Sequence, residues 1–258
     1  MATGILRIQA FAARQSAPVE GVTVNIVGDG FTAARMTDAE GNAADVTLTA
    51  PDCALSLEED NTTRLPYAVC SLTASKAGYR TVRIQGIQVF AGQVTLAQPE
   101  MIPETEGDRD VENPPIVIPP HPLFAGGGGS GRAPADPCAP RVLDRVIIPK
   151  NITVHLGKPA ASARNVTVSF RRYIANVASS EVYPTWPESA LRANIHCQIS
   201  LALNRIYTEW YPSRGYSFNI TNSTSYDQYY VHGRTVFDVM VRLTDDIFHT
   251  HLPTAVHV

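Results

Sequence analysis

Glu181 stands on the apolar face of a helical pattern, an unusual place for a carboxylate. Counting back three, four and seven residues from it gives Ala178, Val177 and Ile174, the spacing of one helix face. A carboxylate buried there without a charge partner has its pKa raised. A carboxylic acid still protonated near neutral pH can donate its proton to a glycosidic oxygen, so Glu181 is a candidate general acid. The same periodicity leaves open that Glu181, near the helix end, turns to solvent or caps the turn into Val182-Tyr183-Pro184. No convincing second acid accompanies it, and Asp227 is the nearest rival.

Other chemistries find less support. The four cysteines, Cys53, Cys70, Cys138 and Cys197, have neither CxxC spacing nor a neighbouring histidine pair, which argues against a zinc finger or a thioredoxin-like motif. They read as isolated buried thiols, and a Cys53 to Cys70 bridge would need an oxidising compartment. The glycine run from Gly126 has no strand before it and no Lys-Ser/Thr after it, so a phosphate-binding loop is a poor reading. His249, His251 and His257 lack a carboxylate or cysteine at a defined spacing, which favours a frayed tail over a metal site. Neither metal nor cofactor is expected.

The elements that must position Glu181 are two helices. Phe170, Tyr173, Ile174, Val177 and Ala178 recur at three- and four-residue steps, predicting a helix over about 168–182. A second follows closely, with Thr185 and Glu188 placed as a capping box and Pro187 in the first turn. Leu191, Ile195, Ile199, Ala202 and Ile206 form its buried stripe toward Trp210, and Pro212 and Gly215 end it. A strand-like stretch, Val142 to His155, precedes both helices.

Residues 4 to about 97 read instead as short strands between turn signals, the pattern of an all-β sandwich. Ile5 to Phe11 and Val22 to Ile26 alternate apolar with polar, and Gly28-Asp29-Gly30 and Asp38-Ala39-Glu40-Gly41 supply turns. From Pro99 to Pro140 proline, glycine and acidic residues dominate. That composition predicts an extended linker, exposed and open to proteases. Domains are therefore expected at 1–98 and 141–258, joined by a linker over 99–140.

With 258 residues, 44% hydrophobic and 17% charged, and a net charge of −3, the chain has a globular composition and no electrostatic reason to bind nucleic acid. No apolar run reaches the roughly 18 to 20 residues of a membrane span. Met1-Ala2-Thr3-Gly4 leads directly into a strand pattern, so no standard signal peptide is expected.

Two resemblances follow from particular motifs. Pro18-Val19-Glu20-Gly21-Val22-Thr23-Val24, Thr37-Asp38-Ala39-Glu40-Gly41 and Lys76-Ala77-Gly78-Tyr79 resemble carboxypeptidase-regulatory-like, or transthyretin-like, β domains. Asn176-Val177-Ala178-Ser179-Ser180-Glu181, then Trp186-Pro187 and Ala190-Leu191-Arg192-Ala193, and later Gln228-Tyr229-Tyr230, resemble the SpoIID-type domain. Across nearly the whole chain, a β prodomain, Pro-rich linker and SpoIID-like domain are similar to the SleC-type spore cortex-lytic enzymes. Leu191-Arg192-Ala193-Asn194-Ile195 and Leu203 to Tyr211 also argue for that likeness. The implied fold class is a two-domain chain, an N-terminal all-β sandwich followed by an α+β, partial SpoIID-like domain.

The resemblance implies a peptidoglycan lytic transglycosylase with Glu181 as the catalytic acid. It also implies a proenzyme activated by a protease and placed in the spore cortex or cell wall. Arg192, Asn194, Gln228 and Asp227 are the expected glycan contacts, because amide, guanidinium and carboxylate groups suit sugar hydroxyls and acetamido groups. The expected partners are a peptidoglycan glycan strand, an activating protease and a partner amidase. The alternative is a noncatalytic glycan-binding or amidase-enhancer-like protein. Ile199 stands where relatives often carry arginine, and Thr221 to Ser225 where some carry zinc ligands. Family domains also continue beyond the segment matching Asp245-Asp246-Ile247-Phe248, so the chain to Val258 is expected to hold only the first half of the domain.

Overall fold

The computed structural model describes residues 2–12, 17–58, 61, 63–104, 113–124 and 148–250. In chain order its strands are β1 (Ala2–Gln9), β2 (Phe11–Ala12), β3 (Ala17–Pro18), β4 (Thr23–Gly28), β5 (Phe31–Met36), β6 (Asn42–Ala50), β7 (Ala68–Lys76), β8 (Tyr79–Val89), β9 (Val94–Ala97), β10 (Ile116–Val117), β11 (Asn151–His155), β12 (Asn165–Ser169), β13 (Ile220–Thr221) and β14 (Val236–Phe237). The helices are α1 (Phe170–Glu181), α2 (Glu188–Tyr207) and α3 (Asp238–Thr250). The protein is thus a β-rich α+β chain. No helix among the described residues is long and apolar enough to cross a membrane.

The chain divides into two compact units. The first, the β unit, comprises Met1–Ala125 together with Tyr183–Trp186 and His232–Val239. The second, the helical unit, comprises Gly126–Val182, Pro187–Val231 and Met240–Val258.

In the β unit a four-stranded sheet, ordered β14-β9-β1-β6, and a five-stranded sheet, ordered β10-β8-β7-β4-β5, enclose one apolar core. Alternation decides which side chains enter it. Leu6 and Ile8 of β1, Val24 and Ile26 of β4, Val46 and Leu48 of β6, Leu72 of β7 and Ile84 and Val89 of β8 all point inward. The motif Thr37 to Gly41 makes a turn. The Asp38 carboxylate accepts the backbone N–H of Glu40 and of Asn42, and Gly41 takes φ +75° where a side chain would collide with the Ala10 carbonyl. Cys70, buried on β7, and exposed Cys53 are both free thiols.

The described parts of the proline-rich segment differ from the exposed linker that their composition predicts. Phe11 donates its N–H to the Pro99 carbonyl and accepts that of Met101, whose side chain is fully buried. Further on, β10 adds in parallel to β8, and Ile118 is buried with its N–H on the Gln85 carbonyl. Gly86 permits this, since a Cβ there would strike the Ile118 carbonyl. Composition signals extended backbone without saying what it pairs with, and here the partner is an open sheet edge. Residues 105–112 and 125–140 of the expected linker, including the glycine run and Cys138, lie outside the described residues, as do 142–147, His251 and His257.

Late sequence also enters the β unit. Strand β14 pairs antiparallel with β9. Phe237 is fully buried, edge-on to Phe90 at 5.3 Å, while Tyr183 lies 5.4 Å from the same ring. The composition-based boundary at 141 therefore differs from the compact units, because these aromatic side chains bury their area in the β unit.

In the helical unit β11 lies between β12, antiparallel, and β13, parallel. Helix α1 starts at the Ser169 cap, within the expected range, and is buried over most of its length. Helix α2 begins without the expected capping box. Pro187 occupies the cap position with no side-chain hydrogen bond, and the Thr185 hydroxyl instead meets that of Ser56 at 2.6 Å within the β unit. Helix α3, unanticipated in the sequence, seats Phe248 edge-on to Phe170.

Phe237→Ala should destabilise the β unit by about 3–5 kcal/mol, the usual cost of truncating a buried phenylalanine. Chemical denaturation followed by probes on β1 and β9 measures this, and the loss should be seen although the substitution lies far along the chain from both strands.

Candidate functional site

Helices α1 and α2 bury polar side chains against one another and against residues 226–231, and Glu181 sits among them. One carboxylate oxygen, Oε1, accepts the Tyr229 backbone N–H at 2.9 Å. The other, Oε2, accepts the Gln198 side-chain N–H, also at 2.9 Å. Both donors are neutral. Burial raises the Glu181 pKa above its ordinary value, while these two hydrogen bonds pull the other way by stabilising the ionised form. The helix arithmetic placed this carboxylate inward, and the structure adds the two donors that make the placement tolerable.

The neighbouring side chains fix the segment that supplies Tyr229. Asn176 on α1 donates its amide N–H to the Val231 carbonyl at 2.8 Å and accepts the Val231 N–H at 3.1 Å. Gln228 is buried, accepting the Tyr173 hydroxyl at 3.0 Å and donating to the Gln198 backbone carbonyl at 3.1 Å. The rings of Tyr173 and Tyr230 stack 5.5 Å apart. Burial pushes the Tyr173 phenol well up and the Tyr230 phenol to about 12, so both stay neutral at physiological pH.

Asp227 is the second hub. Its fully buried carboxylate accepts the Arg205 guanidinium at 2.7 Å, the Thr221 N–H at 3.0 Å, the Thr221 hydroxyl at 2.7 Å and the Tyr211 hydroxyl. Arg205 is also buried, lies over the Trp210 ring at 4.3 Å and donates to the Tyr226 carbonyl. The pair ties the end of α2 to the start of the segment that reaches Glu181.

The expected glycan contacts are thus distributed unevenly. Gln228 and Asp227 belong to the buried network around Glu181. Arg192 is on the outer part of α2, in ion pairs with Glu188 at 2.9 Å and Asp246 at 2.6 Å. Asn194, partly buried, donates its side-chain amide to the Ala190 carbonyl one turn back. Neither Arg192 nor Asn194 hydrogen-bonds to Glu181. Among the described residues, no group of three or more His, Cys, Asp or Glu side chains is placed to hold a metal ion.

Sequence reasoning missed Asn176, Gln198 and Arg205 as positioning residues. Each had a readable signal. Asn176 is three residues from Tyr173, on the buried side of α1, and Gln198 and Arg205 fall three residues after Ile195 and Ala202, on the buried stripe of α2. A polar residue inside such a stripe needs a partner.

No protein-family model matches the chain, and a search of curated proteins finds no match. Among solved structures it is similar to the Bacillus anthracis TIE protein at 16% identity and a TM-score of 0.28, over 40% of this chain and 17% of that one. It is also similar to catechol 1,2-dioxygenase from Acinetobacter sp. ADP1 at 15% identity and a TM-score of 0.30, over 45% of this chain and 58% of the dioxygenase. Likenesses this slight carry no conclusion about fold or function.

Two outcomes follow from the geometry. Asp227→Ala leaves the Arg205 charge buried without its partner and should cost about 3–5 kcal/mol in urea unfolding, whereas Arg192→Ala, at the surface, should change stability little. The second concerns pH. Glu181 releases its proton at higher pH in the folded protein than in the unfolded chain, so between those two pKa values the unfolded state binds fewer protons. Stability therefore falls as pH rises through that window, and the loss is complete above the folded pKa. Urea midpoints between about pH 4 and pH 8 should show Glu181→Gln gaining on the parent protein as pH rises.

Proposed function

We propose that the helical unit is a SpoIID-type, SleC-like peptidoglycan lytic transglycosylase domain in which Glu181 is the general acid. The observation that carries this reading is the Glu181 carboxyl, partly buried, its pKa raised and, among the described residues, its hydrogen bonds coming from neutral groups. A cation at hydrogen-bond distance would hold it ionised, but these donors leave protonation accessible.

In the proposed reaction Glu181 protonates the oxygen leaving the muramic anomeric carbon. The resulting carboxylate takes the proton of the muramic C6 hydroxyl as that oxygen closes on the anomeric carbon, giving a 1,6-anhydro product and regenerating the acid. One carboxyl serves both steps, so the usual glycosidase pair is not required. Asp227, enclosed in its ion pair, is poorly suited to act as a second acid or base. The β unit then corresponds to the regulatory-like β domain of a proenzyme, and the site of action is the spore cortex or cell wall.

A specific observation favours a noncatalytic alternative. All four expected glycan contacts are engaged within the protein, Gln228 and Asp227 in its interior. An amidase-enhancer-like role needs no proton transfer and would leave these residues as scaffold.

Mass spectrometry after incubation with spore cortex or vegetative sacculi separates the readings. The catalytic reading expects anhydromuropeptides from the parent protein and at least a hundredfold less from Glu181→Gln, on the order of a lost general acid. Sedimentation with sacculi but no such product, from parent and variant alike, supports the binding reading and overturns catalysis.

A further inference from the structure

The two hydrogen bonds to Glu181 restrict where its proton can sit. At Oε1 the neighbour is a backbone N–H, which donates and cannot accept. A proton there would face another hydrogen. At Oε2 the neighbour is the Gln198 side-chain amide nitrogen, also only a donor. Its amide, however, carries an acceptor at the other end.

That acceptor, Gln198 Oε1, is buried and has no hydrogen-bond partner among the described residues. Gln198 as a whole is 4% exposed. Its backbone carbonyl is occupied by Gln228, which steadies the residue, while among the described residues its side-chain amide bonds to Glu181 alone. The terminal torsion of a glutamine is broad and roughly two-fold, and the two ends of the amide are nearly the same size. No second hydrogen bond opposes a half-turn.

We propose that Gln198 is the positioning residue that serves both protonation states of Glu181. Its N–H donates to the carboxylate, and after a half-turn of the amide its carbonyl oxygen accepts the O–H of the carboxylic acid at Oε2. In the orientation of the structure the Gln198 N–H favours the carboxylate, and the half-turn offsets that preference by letting the acid donate to Gln198 in its turn, so each state has one hydrogen bond with this residue. The proton of the acid is confined to Oε2 and aimed along one direction.

The ionisable groups of the surrounding network are Tyr173 on α1, with Glu181, Asp227, Tyr211 and Tyr230 acting on it, and Arg205 on α2, paired with Asp227. Arg205 and Asp227 bind each other. Tyr211 donates to Asp227 and Tyr173 to Gln228, and burial raises all three tyrosines. None of these groups hydrogen-bonds to Glu181, so Gln198 is the side chain that must follow its proton.

The proposal rests on the reading of Glu181 as an acid only for the use made of the proton. Its test contains no glycan and is independent of whether the chain cleaves one. In the full chain, labelled at glutamate 13Cδ and glutamine 15Nε2, Glu181 and the Gln198 amide should titrate with one shared midpoint. In Glu181→Gln, an uncharged stand-in for the acid, the Gln198 amide should show the low-pH signature at every pH. In Gln198→Met both protonation states lose a hydrogen bond, so the Glu181 midpoint should shift by less than about half a unit, roughly threefold in the proton affinity. An amide that does not titrate with Glu181, or a larger upward shift in Gln198→Met, would overturn the proposal.

Discussion

A buried polar group must find a partner or destabilise the fold, and the helical unit is organised around that requirement. Helices α1 and α2 carry Asn176, Glu181, Gln198 and Arg205 inward among buried apolar side chains. Residues 226–231 supply partners for three of them, and Gln198 turns its amide to Glu181. Tyr229 gives its N–H to Glu181, Val231 exchanges two hydrogen bonds with Asn176, and Asp227 neutralises Arg205. Removing any one partner leaves another group unsatisfied, and the placement of Glu181 is a consequence of the whole set.

The same reasoning, applied to apolar area, accounts for the β unit. A small sandwich with open edges gains from any strand or aromatic ring it can recruit. It takes β10 onto β8 from the proline-rich segment and β14 onto β9 from late in the chain. Tyr183 and Phe237 close around Phe90. Chain order and compactness therefore part company.

Much of this was legible from local pattern. The alternation in β1 and β4, the turn at Asp38 to Gly41 and the apolar stripes of α1 and α2 are periodic or chemical signals within a few residues, and they place Glu181 inward. What stayed hidden was pairing at long range. Nothing near Thr185 says that its hydroxyl will meet Ser56 rather than cap α2, and nothing near Ile116 names β8 as its neighbour. Gln228 and Asp227 were singled out for polarity that suits a sugar. Their polarity is used internally because Tyr173, Gln198 and Arg205 are buried beside them.

That inward use bears on how a lone acid could work. A glycosidase with two carboxylates assigns one to the proton and one to the anomeric carbon, and the environments of the two hold them in different protonation states. Here the second carboxylate, Asp227, is matched by Arg205 and enclosed by the Thr221 and Tyr211 hydroxyls, which gives it a structural task. Among the described residues, Glu181 has no such cation at hydrogen-bond distance. Its two donors stabilise the anion through hydrogen bonds while burial, the larger influence, favours the neutral acid and raises its pKa. A group that must give a proton and then take one back in a single turnover needs that balance more than it needs a strongly displaced pKa. Had Arg205 stood beside Glu181 instead of Asp227, its charge would favour the ionised form of Glu181, so the location of one buried ion pair bears on the other carboxylate.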